Sequence, residues 1–275
     1  MKALRKPGDR VTVLTIAGSD PSGGAGIQAD LQVFASLGAH GAAAVTALTV
    51  QDTRGVQEVW ECPAGWVRKQ VAAVLEDLPV GAVKIGMLAG PEVVLAVTSV
   101  LAAHRGPPVV LDPVRTAGSG AELLNEAGLT ALRESLLPLA HLVTPNLAEA
   151  EALAGRRVRT IEEMRAAARA IAALGPAAVL VKGGHLGGAP VDVLFAHGEW
   201  VELPGERVAL DRRVHGTGCA FSAAAAVFLA NGSPLVEAVS GAKRYVTAGL
   251  RAARAVGHGA LVIDYRAAGA AVGSA

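Results

Sequence analysis

The chain has 275 residues, a formal net charge of +1 and a hydrophobic share of 52%, with two cysteines. Charges of both signs are interspersed and the aromatic residues amount to 3 Trp, 2 Tyr and 4 Phe, so neither a basic face nor a stacking platform for nucleic acid is offered. The apolar stretch at residues 223–230 is far shorter than the roughly 20 residues that a bilayer span requires.

Taken in chain order, Lys2, Arg5, Lys6 and Arg10 come first, with no apolar segment of signal-peptide type behind them, because residue 11 onward reads as a strand. The expectation is a cytoplasmic protein in which Cys62 and Cys219 are both thiols. Apolar, β-branched runs at 11–17, 43–50, 83–85, 109–111, 142–144 and 179–181 read as buried strands. Between them, apolar spacing of three and four predicts helices at 27–37, 66–78, 93–103, 129–136 and 161–174. This alternation predicts an α/β fold: a mostly parallel sheet, helices on both faces, and ligands at the carboxyl ends of the strands. Short runs at 191–196 and 200–203 predict an antiparallel hairpin at one sheet edge. Two helices, 218–230 and 235–255, are expected to close the chain. No repeat or linker divides it, so a single domain spanning 1–275 is expected.

Four strand ends carry candidate chemistry. The first is the glycine-rich turn from Ala17 to Gly26, where small residues allow a close backbone approach to a ligand, or serve only as a tight turn. It is no Walker A loop, since no Gly-Lys-Ser or Gly-Lys-Thr follows. The second, His215-Gly216-Thr217-Gly218-Cys219, precedes an alanine-rich helix whose free N–H groups and dipole suit a phosphate or oxyanion. A cysteine at that position has its thiolate favoured, with the alternative of a thiol packed as a small hydrophobe. The third is Thr144-Pro145-Asn146 with Glu149, either an N-cap with its capping-box partner or an amide and carboxylate that hold magnesium through water. The fourth is Lys182, leaving an apolar strand toward Gly183 and Gly184, where it suits an ATP phosphate.

Together with Thr46-Ala47-Leu48, Gln51, Lys84-Ile85-Gly86-Met87-Leu88 and Leu111-Asp112-Pro113-Val114, these clusters resemble the ribokinase-like superfamily. Within it they are similar to the hydroxymethylpyrimidine/phosphomethylpyrimidine kinases of thiamin biosynthesis. The resemblance implies a three-layer ribokinase-like sandwich with a small antiparallel edge hairpin, acting as an ATP- and Mg2+-dependent kinase. It would phosphorylate 4-amino-5-hydroxymethyl-2-methylpyrimidine and then its monophosphate. It further implies Gly216, Thr217 and Gly218 as an anion hole with Cys219 as the catalytic group. Gln51, Asp30, Gly18, Met87 and Val114 would contact the pyrimidine. Lys182 and Asn146 would meet ATP phosphate, and Glu149 with Asn146 the metal, through water. Relatives of this type associate as homodimers.

The chain departs from the family pattern at Arg115, at Gly118, and at Arg213 and Val214 before His215; Arg115 is expected to face solvent. Pyridoxal kinase is the near alternative, and a non-catalytic pyrimidine-binding protein is the alternative from another class. A nicotinamide-binding oxidoreductase is disfavoured because Gly23-Gly24-Ala25-Gly26 lacks the G-x-G-x-x-G spacing.

Overall fold

The computed structural model describes residues 10–273; residues 1–9, on which the signal-peptide expectation partly rests, lie outside it. The chain begins with strand β1 (Thr12–Ser19) and helix α1 (Gly26–Ser36), followed by β2 (His40–Asp52), β3 (Gly55–Glu61) and α2 (Ala64–Asp77). Next come β4 (Val80–Ile85), α3 (Pro91–Ala103), β5 (Val109–Leu111) and α4 (Glu126–Ala131). Helix α4 widens into a π turn at Leu132–Leu136 and then tightens to a 3-10 turn at Leu137–Leu139 before β6 (Leu142–Val143), α5 (Leu147–Ala154) and α6 (Ile161–Ala172). The remainder is β7 (Ala178–Val181), β8 (Val191–Ala196), β9 (Glu199–Pro204), β10 (Val214–His215), α7 (Thr217–Ala230), α8 (Leu235–Arg251), β11 (Leu261–Val262) and α9 (Tyr265–Gly273).

Nine strands form one sheet in the order β3-β2-β1-β4-β5-β6-β7-β8-β9. The pairs from β2 to β7 are parallel, so β1, β4, β5, β6 and β7 all end at one edge of the layer. Their apolar runs are continuous because helices cover both faces; β1 is buried from Thr12 through Gly18. One apolar cluster gathers β4, α3, α5 and α6, the other β1, α1, α7 and α8. The expected hairpin β8–β9 is present. A second one, β2–β3, closes the opposite edge; it turns at Asp52 to Gly55, where Asp52 Oδ1 accepts the backbone N–H of Arg54 at 2.8 Å.

The alanine excess has a packing cause. Ala220 and Ala223 to Ala226 in α7 are fully buried, and α7 packs on β1, β4 and β5 as well as on α1 and α8. Only small side chains let a helix approach on so many sides.

The end of the chain corrects the expectation that two helices close it. Helix α8 stops at Arg251, and the short strand β11 then pairs in parallel with β10, setting Val214 opposite Leu261 and His215 opposite Val262. Helix α9 follows. Tyr245 of α8, with no exposed surface, joins these pieces: its hydroxyl lies 2.7 Å from Ser36 Oγ and donates to Tyr265 O at 3.2 Å. Burial pushes its phenol up to about 12. Tyr245→Phe keeps the ring but leaves both partners buried without it, and is expected to cost about 1–3 kcal/mol, read as a lower urea midpoint with an unchanged m-value.

Candidate active site

The residues that follow the parallel strands converge on two cavities. One, of about 400 Å³, is lined by Gly18, Gln51, Lys84, Met87, Val114 and Cys219 among others. The second, of about 320 Å³, is walled by Pro190, Val208, Phe221, Val246 and Leu250. They share Asn146, Lys182, His185, Thr217 and Gly218, so the start of α7 forms the junction between the two.

At that junction Gly216 sits in the left-handed region with φ of 82°, and a Cβ there would come within 1.9 Å of Gly24 O. Only glycine fits. No side chain caps α7, and the amides of Thr217, Gly218 and Cys219 have no backbone acceptor among the described residues. Three N–H groups and the positive end of a buried helix therefore face the cavities, the arrangement that stabilises a phosphoryl group in transfer.

The glycine-rich turn behaves differently. Its amides fold inward on Asp20, whose Oδ1 accepts from Ser22 N at 2.9 Å and Ser22 Oγ at 2.8 Å, and whose Oδ2 accepts from Ala25 N at 2.8 Å. Burial opposes the charge, but the bonds from His215 and Ser22 outweigh it and hold the Asp20 carboxyl below its ordinary value. Tyr265 Oη, from the last helix, donates to Gly24 O at 3.0 Å. The turn is thus a braced wall of the pocket, with the N–H groups of Ser22, Gly23 and Ala25 spent internally.

Charge is concentrated beneath the junction. Lys182 Nζ donates to Asp112 Oδ1 at 2.8 Å, and Thr144 Oγ1 lies 3.2 Å from the same oxygen. Burial works against the Lys182 ammonium, yet Asp112 and Glu149 raise it above its usual value. Asn146 and Glu149 form the capping box of α5: Asn146 Oδ1 accepts from Glu149 N at 3.0 Å and Glu149 Oε2 accepts from Asn146 N at 2.8 Å. The capping reading is thus the one present in the structure; both residues also line the larger cavity. Desolvation, reinforced by Asp112, pushes the Glu149 carboxyl up to about 7 despite Lys182.

Cys219 is half-buried and unpaired, and it lines the larger cavity. Burial pushes its thiol up to about 11, with Asp30 and Asp112 adding to the rise and Lys84 opposing it. The expected thiolate preference is therefore corrected: a helix N-terminus favours an anion by about 0.3–1 kcal/mol, less than the desolvation it faces here. Cys62 is also half-buried, packs against the core, and has its thiol raised by burial.

Of the residues expected to form the site, Gly18, Gln51, Met87, Val114, Asn146, Glu149, Lys182, Gly216, Thr217, Gly218 and Cys219 line the larger cavity. Asp30 does not. Its side chain has no exposed surface and is engaged by Lys84 Nζ at 2.7 Å and Thr15 Oγ1 at 2.6 Å. It acts one layer below, as counter-ion to Lys84. Burial opposes the Lys84 charge, but Asp30, Cys219 and Asp112 raise the ammonium above its usual value. Lys84 and Asp112 were passed over as site residues; a lysine flanked by Val83 and Ile85 in a buried strand was the available signal, because such a charge needs a partner. Arg115 turns to Glu126 and is absent from the cavity walls, whereas Arg213 lines them.

A parallel sheet with antiparallel edges, and twin cavities meeting at a glycine-bounded helix start, define a ribokinase-like small-molecule kinase. The family model described as phosphomethylpyrimidine kinase matches residues 20–264. The chain belongs to that family. It is 51% identical over 242 residues to the hydroxymethylpyrimidine/phosphomethylpyrimidine kinase of Rhizobium meliloti, covering 87% of this chain and 90% of that one. It is 44% identical over 268 residues to the enzyme of the same name from Streptomyces coelicolor, covering 96% and 98%. The thiamine biosynthesis bifunctional protein ThiED of Geobacter sulfurreducens is 47% identical over 256 residues; the match takes in 93% of this chain but 52% of that protein, so this chain spans about half its length. Among solved structures, the phosphomethylpyrimidine kinase of Clostridium difficile superposes with a TM-score of 0.77 at 39% identity, covering 86% of this chain and 98% of that one. An ADP complex of Bacillus subtilis pyridoxal kinase gives 0.86 at 34% identity, covering 94% and 98%.

Glu149 gives the site a pH signature. Its folded value, about 7, is raised above the ordinary 4.5, so its contribution to stability is complete below about pH 4.5 and is lost as pH rises through 7. The expected loss is on the order of 3 kcal/mol. Glu149→Gln retains an oxygen for the capping bond and removes the titration. Urea unfolding of both proteins at about pH 5 and about pH 8 should show the wild type losing stability relative to the variant as pH rises.

Proposed function

We propose that the protein transfers the γ-phosphoryl group of ATP to the hydroxymethyl oxygen of 4-amino-5-hydroxymethyl-2-methylpyrimidine. A second transfer, to the monophosphate so formed, yields the diphosphate used in thiamin diphosphate biosynthesis. The observation that carries this reading is the set of acceptor-free amides at Thr217, Gly218 and Cys219, placed where the two cavities meet. The larger pocket, with Gln51, Met87 and Val114 in its wall, would take the pyrimidine; the apolar-walled one would take the nucleotide base. The whole chain is read as one kinase domain.

Phosphoryl transfer passes through a loose transition state, so positioning and charge stabilisation supply most of the rate. The α7 amides would hold the equatorial oxygens, and Lys182 would approach the phosphate from β7, released from Asp112 or sharing it. The thiolate form of Cys219, which burial makes scarce in the unliganded protein, would take the hydroxyl proton as the new O–P bond forms, leaving a neutral thiol and releasing ADP. Glu149 and Asp112 place carboxylates in the wall of the larger cavity next to Asn146, a set that suits a hard cation keeping several of its waters. Magnesium bound there would neutralise phosphate charge. The fit is supported by Glu149 itself, a buried carboxyl whose charged form is opposed by desolvation and by Asp112, so that a cation beside it would favour the carboxylate.

The proposed location is the cytoplasm, in keeping with two unpaired thiols; no helix among the described residues is long and apolar enough to cross a membrane. Homodimerisation is proposed through the β2–β3 sheet face, where Leu48, Val50 and Trp60 stand 49%, 51% and 57% exposed and Leu48 lies opposite Trp60. Sedimentation should give twice the 27.7 kDa chain mass, reverting to one chain in Trp60→Asp.

A coupled ATP assay comparing hydroxymethylpyrimidine, its monophosphate and pyridoxal tests the substrate. Turnover of both pyrimidines in preference to pyridoxal is expected; ATP hydrolysis indifferent to any of them would overturn the reading. Cys219→Ala should lower kcat by about 10²-fold, the lower range for a general base, and full activity on both pyrimidines would remove the thiol from the mechanism.

A further inference from the structure

His215 stands between the two loops that frame the larger cavity. Its Nε2 lies 3.1 Å from Asp20 Oδ2 and 2.9 Å from the Gln51 side-chain amide. With the Gln51 nitrogen on that side, one ring nitrogen would have to accept from an amide N–H and donate to a carboxylate at once, which it cannot do. Asp20 decides the matter. It already receives hydrogens from Ser22 N, Ser22 Oγ and Ala25 N, so it is an acceptor, and the hydrogen of the His215 contact resides on Nε2.

A second conflict lies at the other end of the same amide. Thr49 Oγ1 has one hydrogen, yet Ser19 O at 2.8 Å and the Gln51 amide oxygen at 3.2 Å would both claim it. A half-turn of the Gln51 amide removes both conflicts together. The amide oxygen then accepts from His215 Nε2–H, which it shares with Asp20; the amide nitrogen donates to Thr49 Oγ1, and Thr49 keeps its hydrogen for Ser19. Oxygen and nitrogen of an amide occupy nearly the same space, so the bonding network is what assigns them.

We infer that His215 is a positioning residue that fixes the Gln51 amide with its oxygen toward His215 and its nitrogen toward Thr49. After these bonds the amide retains one N–H and one carbonyl lone pair, and Gln51 lines the cavity. The pocket therefore reads a heterocycle in one sense only: a donor on the His215 side, an acceptor on the Thr49 side. An exocyclic amine beside a ring nitrogen has that order; a lactam, with ring N–H beside a carbonyl, reverses it. Asp20 and the self-packed turn thus act on substrate choice through His215, in addition to walling the cavity. The substrate half of this inference rests on the proposed kinase reading; the amide orientation and histidine tautomer do not.

The two halves are tested separately. Histidine-ring 15N–1H correlation spectra of the wild-type protein, with His215 assigned by its loss in His215→Phe or, should that variant not fold, in His215→Gln, should show Nε2 protonated. A neutral ring protonated on Nδ1 alone would overturn the inference whatever the enzyme phosphorylates. In the coupled assay, His215→Phe should raise KM for the aminopyrimidine about tenfold, the loss of one oriented hydrogen bond, with a smaller fall in kcat and a reduced preference over the 4-oxo analogue. His215→Gln, whose Nε2 can reach both acceptors, should restore much of the KM and the preference. A folded His215→Phe protein with unchanged KM and preference, or a His215→Gln protein no better than it, would overturn the positioning role. A wild type that turned over neither pyrimidine would refute the kinase reading while leaving the tautomer result standing.

Discussion

A lysine ammonium with no exposed surface lies in the central layer of this protein, and the site above depends on its being neutralised. Lys84 occupies β4 between apolar neighbours, and Asp30 reaches it from α1 at 2.7 Å. Removing either partner alone would strand a buried charge, a loss of several kcal/mol. The pair therefore locks α1 to β4, and at Cys219 its two members act in opposite senses, Lys84 favouring the thiolate and Asp30 opposing it. It also explains why the aspartate that family resemblance assigns to the substrate is found below it: Lys84 and Thr15 both engage its Oδ2, and the side chain has no exposed surface. Its Oδ1 has no hydrogen-bond partner among the described residues.

Cysteine at the start of α7 shows how competing terms are ranked. Helix dipole and nearby lysine favour the anion, while burial and two carboxylates oppose it. A rise from 9.0 to about 11 means that desolvation wins by about 3 kcal/mol. The same ranking governs Glu149, where burial beats an adjacent ammonium. Both groups are held with protons in an environment that would change on arrival of a polyphosphate and its cation, so the empty site is electrostatically unlike the loaded one.

Much of the layout could be read from residues alone. Alternating strand and helix periods located the parallel sheet, and the five clusters at 18–26, 51, 144–149, 182–185 and 215–219 do come together. What stayed hidden has identifiable causes. Strand β3 carries Gln57, Glu58 and Glu61 among its apolar residues, as an edge strand does, and so lacks the apolar run that marks a buried one. Strands β10 and β11 have two residues each, too few for any period to register. The orientation of Asp30 was not legible because one helical turn decides whether a side chain faces ligand or sheet, and only the partner Lys84 settles it.

Tyr265 reaches back from the final helix to Gly24 near the beginning of the chain, and β10, which leads into Gly216, is held by β11 from the same closing segment. During synthesis on the ribosome, the sheet order from β3 to β7 can be completed while roughly the last third of the polypeptide is still within or behind the exit tunnel. The nascent protein at that stage possesses its scaffold but neither the brace on Gly24 nor the β10–β11 pair that leads into Gly216. The segment after β7 thus closes contacts that the earlier strands leave open.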